Sequence, residues 1–167
     1  DFPVVIIPCF NPLGLIENTR CNGEGIDLNR NFQNQDIPLM ANWQLFMEGR
    51  EFQLALNLYE DYDATGIYLY EIADDGSPGD GFLSACQDII PRETADSVDG
   101  SEFKNGLLSH DPDSEDLRRI VEEDLGGGMP EAIYLYLEHT RNSFTFETPS
   151  EMDQALRIAA HRQFLEA

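Results

Sequence analysis

The feature that most narrows the fold is the alternation of strand-like and helix-like runs along the chain. Val4-Val-Ile-Ile7 is a continuous β-branched run closed by Pro8, the pattern of an inner strand covered on both faces. Asn11-Pro-Leu-Gly14 is a turn by composition. Leu39, Met40, Trp43, Phe46 and Met47 then recur at helical spacing between Ile37 and Phe52, with Gly49 as a stop. Leu54, Leu56 and Leu58 alternate with Ala55, Asn57 and Tyr59, which predicts a strand with one apolar face. Gly66 to Ile72 is a second strand after a short acidic link, and a hairpin between the two is open. Asp74 to Gly81 reads as a surface loop and Phe82 to Ile90 as a short helix. Arg92 to Asp113 is mixed and polar. Asp116 to Leu125 looks helical and stops at Gly126-Gly-Gly128. Glu131 to His139 fits a helix, or a strand at Ile133 to Leu137. Ser143 to Thr148 puts Phe144 and Phe146 on one face and Ser143, Thr145 and Glu147 on the other. A last helix starts at Ser150, with Asp153 as the acid of a capping box and Met152, Leu156, Ala159 and Ala160 inward. The expectation is a single α/β domain over residues 1–167, three-layered α/β/α, with helices on both sides of a twisted mixed sheet.

Charge limits the partners. There are 32 Asp and Glu against 10 Lys and Arg, a formal charge of −22, and Lys104 is the sole lysine. Such a surface repels nucleic acid and anionic membranes, so neither is an expected partner. It also obliges any cationic pocket to act locally. Solubility alone explains the acids; a salt-adapted source is the other explanation. Cys9, Cys21 and Cys86 are odd in number and lack a Cys-x-x-Cys spacing, which argues against a disulfide framework or zinc knuckle and for a reducing, cytoplasmic compartment. A Cys9–Cys21 bridge stays open. No signal peptide or bilayer-length apolar run is visible. The opening at Asp1, without Met, suggests processing or a truncated reading frame.

Gly25-Ile-Asp-Leu-Asn-Arg-Asn-Phe32 is where chemistry concentrates. Ile26 and Leu28 alternate with polar residues, as in a strand or extended segment that hides two side chains and aims the rest at one place. Asn29 both donates and accepts hydrogen bonds, and the Arg30 guanidinium matches a carboxylate through two parallel bonds. Arg20, in Asn18-Thr-Arg-Cys-Asn22, supplies a second guanidinium. Two arginines and an asparagine suit one anion. The plainer alternative is that Asp27 and Arg30 pair and solvate a loop.

Taken in order, Pro8-Cys-Phe-Asn-Pro-Leu-Gly14, Asn18-Thr-Arg20 and Gly25 to Phe32 resemble the zinc metallocarboxypeptidase (carboxypeptidase A-like) family. That family has an Asn-Pro-x-Gly turn, an arginine and an Asp-x-Asn-Arg-Asn-aromatic run. Leu58-Tyr-Glu-Asp61 with Gly66-Ile-Tyr-Leu-Tyr-Glu71 is similar to its Leu-His-Glu-Asp strand and the next strand. Phe144-Thr-Phe-Glu-Thr-Pro-Ser150 is similar to the strand carrying its catalytic glutamate. The resemblance implies that Glu147 is the base, Arg20 polarises the scissile carbonyl, and Asn29 and Arg30 bind the terminal carboxylate of a peptide. It implies a mixed sheet whose N-terminal strands lie upstream, leaving an exposed edge at Val4–Ile7.

It also implies zinc, and here the sequence departs from the family. The family's His-x-x-Glu ligands precede everything seen here, and its third ligand position is Tyr59. Tyrosine stays neutral to high pH and is an uncommon zinc ligand. His110, His139 and His161 make no ligand pattern. Two explanations compete: the C-terminal part of a larger enzyme in which Tyr59 is a further lesion, or a degenerate relative that keeps a carboxylate clamp without metal. Either way the expectation is that these residues alone bind zinc poorly and hydrolyse little. The substrate class is a peptide with a free C-terminus or, as in a related deacylase, an N-acyl amino acid. A non-catalytic carboxylate-binding module is the third alternative.

Overall fold

A computed structural model describes residues 3–74, 76–95, 97–98, 101–110 and 114–167. Asp1, part of the predicted Asp74–Gly81 loop and parts of the polar Arg92–Asp113 stretch lie outside those residues.

A four-stranded mixed sheet forms the middle layer, in the order β1 (Ala55–Asp61), β6 (Asn142–Pro149), β2 (Tyr68–Ala73), β5 (Leu107–His110). β1 runs parallel to β6, β2 antiparallel to β6, and β5 parallel to β2. The open hairpin question is therefore decided against: β6, some 80 residues on, separates β1 from β2. β3 (Ser97–Val98) and β4 (Ser101–Glu102) make a separate small ladder.

Strand alternation divides the two faces. Phe144 and Phe146 of β6 with Leu69 of β2 pack on α3 (Gly79–Cys86) and α6 (Gln154–Glu166) through Leu83, Cys86, Ala160 and Phe164. Phe146 and Phe164 stack with centroids 4.5 Å apart. Ile72 faces the other side, in a core with α2 (Pro38–Met47), α4 (Ser114–Glu123) and α5 (Glu131–Glu138) built on Met40, Trp43, Leu117, Val121, Ile133 and Leu135. The arrangement is the expected α/β/α.

Several local expectations are corrected. Val4–Ile7 is not a strand; Val4 is 73% and Ile6 75% exposed, because a β-branched run without a ladder partner has nothing to fix it. Pro12 then opens a short helix, α1 (Pro12–Glu17), in place of a simple turn. The open sheet edge is β1 instead. Leu54 and Leu58 are exposed, Leu56 packs only partly on the α3/α6 core, and Asn57 of the opposite face is buried, so the alternation was real but the Leu face is only partly covered. Gly25–Phe32 is not extended: Leu28–Arg30 form one 3-10 turn, because Asp27 Oδ1 accepts the Asn29 N–H and bends the chain. Glu131–Glu138 is a helix, the first of its two options. The last helix is capped by Asp153 itself, which accepts from Ala155 and Leu156, so it starts later than Ser150. Leu156 is exposed, with Ala160 and Phe164 facing inward.

Candidate functional site

β1 and β6 are parallel, so their carboxyl ends open on the same side, where an α/β sheet offers ligands a crevice. Tyr59, Glu147 and Tyr68 are cross-strand partners in one row over β1, β6 and β2, hence on one face. This is the face covered by α5 and by the 3-10 turn. The row is continued by Tyr68 Oη, which donates to Asp61 Oδ2 at 2.9 Å.

From the row, hydrogen bonds run back to the first motif. Tyr59 Oη donates to Glu131 Oε2 at 3.0 Å. The Glu131 N–H, at the start of α5, donates to Asn29 Oδ1 at 2.9 Å. The Asn29 N–H donates to Asp27 Oδ1 at 3.0 Å, and Asp27 Oδ2 accepts from Arg20 Nε at 2.7 Å. Residues 102 apart in sequence thus meet through a single main-chain amide.

Electrostatics follow from burial. Desolvation pushes the Tyr59 phenol far above its usual range. The charges of Glu131 and Glu147 add to that, and Arg20 opposes it. Desolvation likewise raises Glu131, partly offset by the Tyr59 hydrogen bond. Tyr68 is raised by burial and then by Glu147. Glu147 is the cross-strand partner of Tyr59 and Glu131 accepts its hydrogen bond, so both carboxyls flank the phenol ring's strand position.

Arg20 and Arg30 differ in their settings. Arg20 is exposed and pairs with Asp27, so the plain pairing anticipated for Arg30 belongs to Arg20 instead. Arg30 is half-buried; its Nη1 donates to the Asn29 carbonyl at 2.9 Å, and among the described residues no carboxylate reaches ion-pair distance of it. Its stem lies on Gly128, where an added Cβ would fall 2.9 Å from Arg30 Cδ. The 126–128 glycines therefore both end α4 and make room for this side chain. The main chain holds the two segments together, with Met129 N donating to Arg30 O and Phe32 N to Met129 O.

Sequence reasoning named Asp27 only as a partner for Arg30, Gly128 only as part of a helix stop and Glu131 only as the start of a helix, and gave none of them a place at the site. Asp27 had a local signal, an acid two residues ahead of Asn29 in capping position. Gly128 and Glu131 had none, since their partners lie about a hundred residues upstream.

The residues do not fit a zinc centre. Among the described residues no three His, Cys, Asp or Glu side chains converge to hold a metal. The Tyr59 oxygen is a neutral phenol committed to Glu131, a poor metal donor. Among the described residues no helix is long and apolar enough to cross a membrane.

Residues 1–48 match a family model described as a protein of unknown function (DUF2817), under a third of the chain. No curated protein matches. Three solved structures superpose on 95% of the chain at 19% identity, each named a "putative metallopeptidase". They come from Shewanella amazonensis SB2B (TM-score 0.74), Shewanella denitrificans OS217 (0.69) and Shewanella baltica OS155 (0.73). The fold is metallopeptidase-like. This chain spans 60%, 56% and 59% of their respective lengths.

Proposed function

We propose that the site recognises the free carboxylate of a peptide or N-acyl amino acid, as part of a metallocarboxypeptidase-like hydrolase. In that role Arg30 and Asn29 bind the carboxylate, Arg20 polarises the carbonyl and Glu147 accepts the proton of the attacking water. One observation carries the reading. In a chain with 32 acids, a half-buried arginine is seated by a glycine and has no carboxylate partner among the described residues. An unpaired, partly desolvated guanidinium is unfavourable unless an anion completes it. Asn29 beside it has its Oδ1 engaged, which leaves the Nδ2 donors for the same anion.

Tyr59 and the unsuitable donor set favour a binding role for residues 1–167 by themselves, with turnover requiring ligands these residues do not supply. N-acetyl-phenylalanine and its methyl ester separate carboxylate recognition from apolar contact. Calorimetry should show binding of the acid, none of the ester, and loss of binding in Arg30→Ala; equal binding of acid and ester defeats the proposal. After zinc loading, metal analysis should find no stoichiometric zinc. Mass spectrometry of peptides and N-acyl amino acids incubated with the protein separates the carboxypeptidase from the deacylase alternative, and release of neither product favours the non-catalytic module.

A further inference from the structure

We propose that Glu131 is the positioning residue of this clamp. Its backbone N–H fixes the orientation of the Asn29 amide, and its carboxyl anchors the same turn of α5 to Tyr59. The assignment rests on the carboxylate-binding reading above.

An asparagine amide has two faces of opposite use. Turned one way it offers a bound carboxylate two N–H donors; turned the other it sets a carbonyl oxygen against a negative charge. Something must choose. The Glu131 N–H is among the first amides of α5, which have no acceptor inside the helix. It takes only an acceptor, so it captures Asn29 Oδ1 at 2.9 Å and leaves Nδ2 on the other side. Asn29 makes no other side-chain hydrogen bond among the described residues. The contact is built into the fold at both ends. On one side the main-chain bonds between Met129 and the Arg30–Phe32 segment fix the spacing. On the other, Tyr59 Oη to Glu131 Oε2 ties the first turn of α5 to β1.

Three substitutions separate amide from carboxyl. Glu131→Gln keeps the N–H and an acceptor for Tyr59. Glu131→Ala keeps the N–H alone. Glu131→Pro removes both, at a first helical position where proline is well tolerated. Pro130 already has the extended φ −68°, ψ 153° that a following proline requires. With N-acetyl-phenylalanine as probe, Gln should bind like the parent and Ala within about threefold of it. Pro should bind about tenfold more weakly than Ala, the worth of one hydrogen bond to a charged complex. The thermal midpoints of Pro and Ala should agree. Equal affinities of Pro and Ala overturn the Glu131 assignment while Arg30→Ala still upholds the clamp; a parent protein that does not bind the acid overturns both. Should the proline variant lose stability, the Asn29 side-chain amide signals decide in the parent. They should shift on adding the probe, and signals that stay put overturn the proposal.

Discussion

Glu93 is buried and Glu131 half-buried, and the molecule treats the two acids in opposite ways. Glu93 is 3% exposed and surrounded by donors. Its carboxylate accepts from the N–H groups of Thr65, Gly66, Thr94 and Ala95, and from the Thr65 hydroxyl. Desolvation works to raise its pKa, but the backbone donors outweigh it and hold the group at about 2. Glu131 receives one phenol, and desolvation raises it. The first is a structural staple that pins the loop before β2 to the segment after α3. The second has one side-chain donor among the described residues, the Tyr59 phenol. Burial alone does not set the sense of a carboxylate's pKa shift; the number of donors it finds does.

The comparison can be broken at several points. The largest expected effect is Glu93→Ala, which takes the acceptor from four main-chain amides, that of buried Gly66 among them. It should cost about 3 kcal/mol at pH 7, a fall of roughly 10 °C in thermal midpoint. Because the folded pKa is depressed, this stability is present above the ordinary Glu value and lost as pH falls from about 4.5 toward about 2. A parent–variant difference that persists unchanged to pH 2 would contradict the staple.

Glu131→Gln should act with the opposite sign and a smaller size. A raised folded pKa means that the native state holds its proton where the unfolded chain has released it. The parent therefore loses stability as pH rises above the ordinary Glu range, and the amide variant does not. Urea unfolding at pH 5 and pH 8 measures this. A variant less stable than the parent at pH 8 would place Glu131 with the staples.

Gly128→Ala should have the smallest effect on folding, about 1–2 kcal/mol, because the stem of Arg30 must move aside. Binding of N-acetyl-phenylalanine should weaken in parallel. Unchanged affinity would show that the seat on Gly128 does not position the guanidinium.

Much of the architecture is legible in the sequence because it rests on periodicity. Trp43 and Met47 mark α2, Phe144 and Phe146 mark the face of β6 that packs on α3 and α6, and Gly126–Gly128 mark the end of α4. The failures share a cause. Val4–Ile7 has strand composition but no ladder partner among the described residues, and the Leu54–Leu58 face lies at an edge; composition records a preference for burial, not the neighbour that provides it. At the site, Arg20, Asn29, Arg30 and Glu147 stand out by their motifs, whereas Glu131 resembles any helix-opening acid.

By itself the sequence determined the alternation of strand and helix, the acidic surface, and the side chains able to meet a carboxylate, because each is set by local pattern or by the chemistry of one residue. Only the tertiary structure decided that Arg20 takes Asp27 while Arg30 has no acid at ion-pair distance among the described residues, and that a main-chain amide 102 residues away donates to Asn29. Those facts depend on which backbone segments are pressed together and how many donors each buried acid then finds, and no local pattern in the chain encodes that.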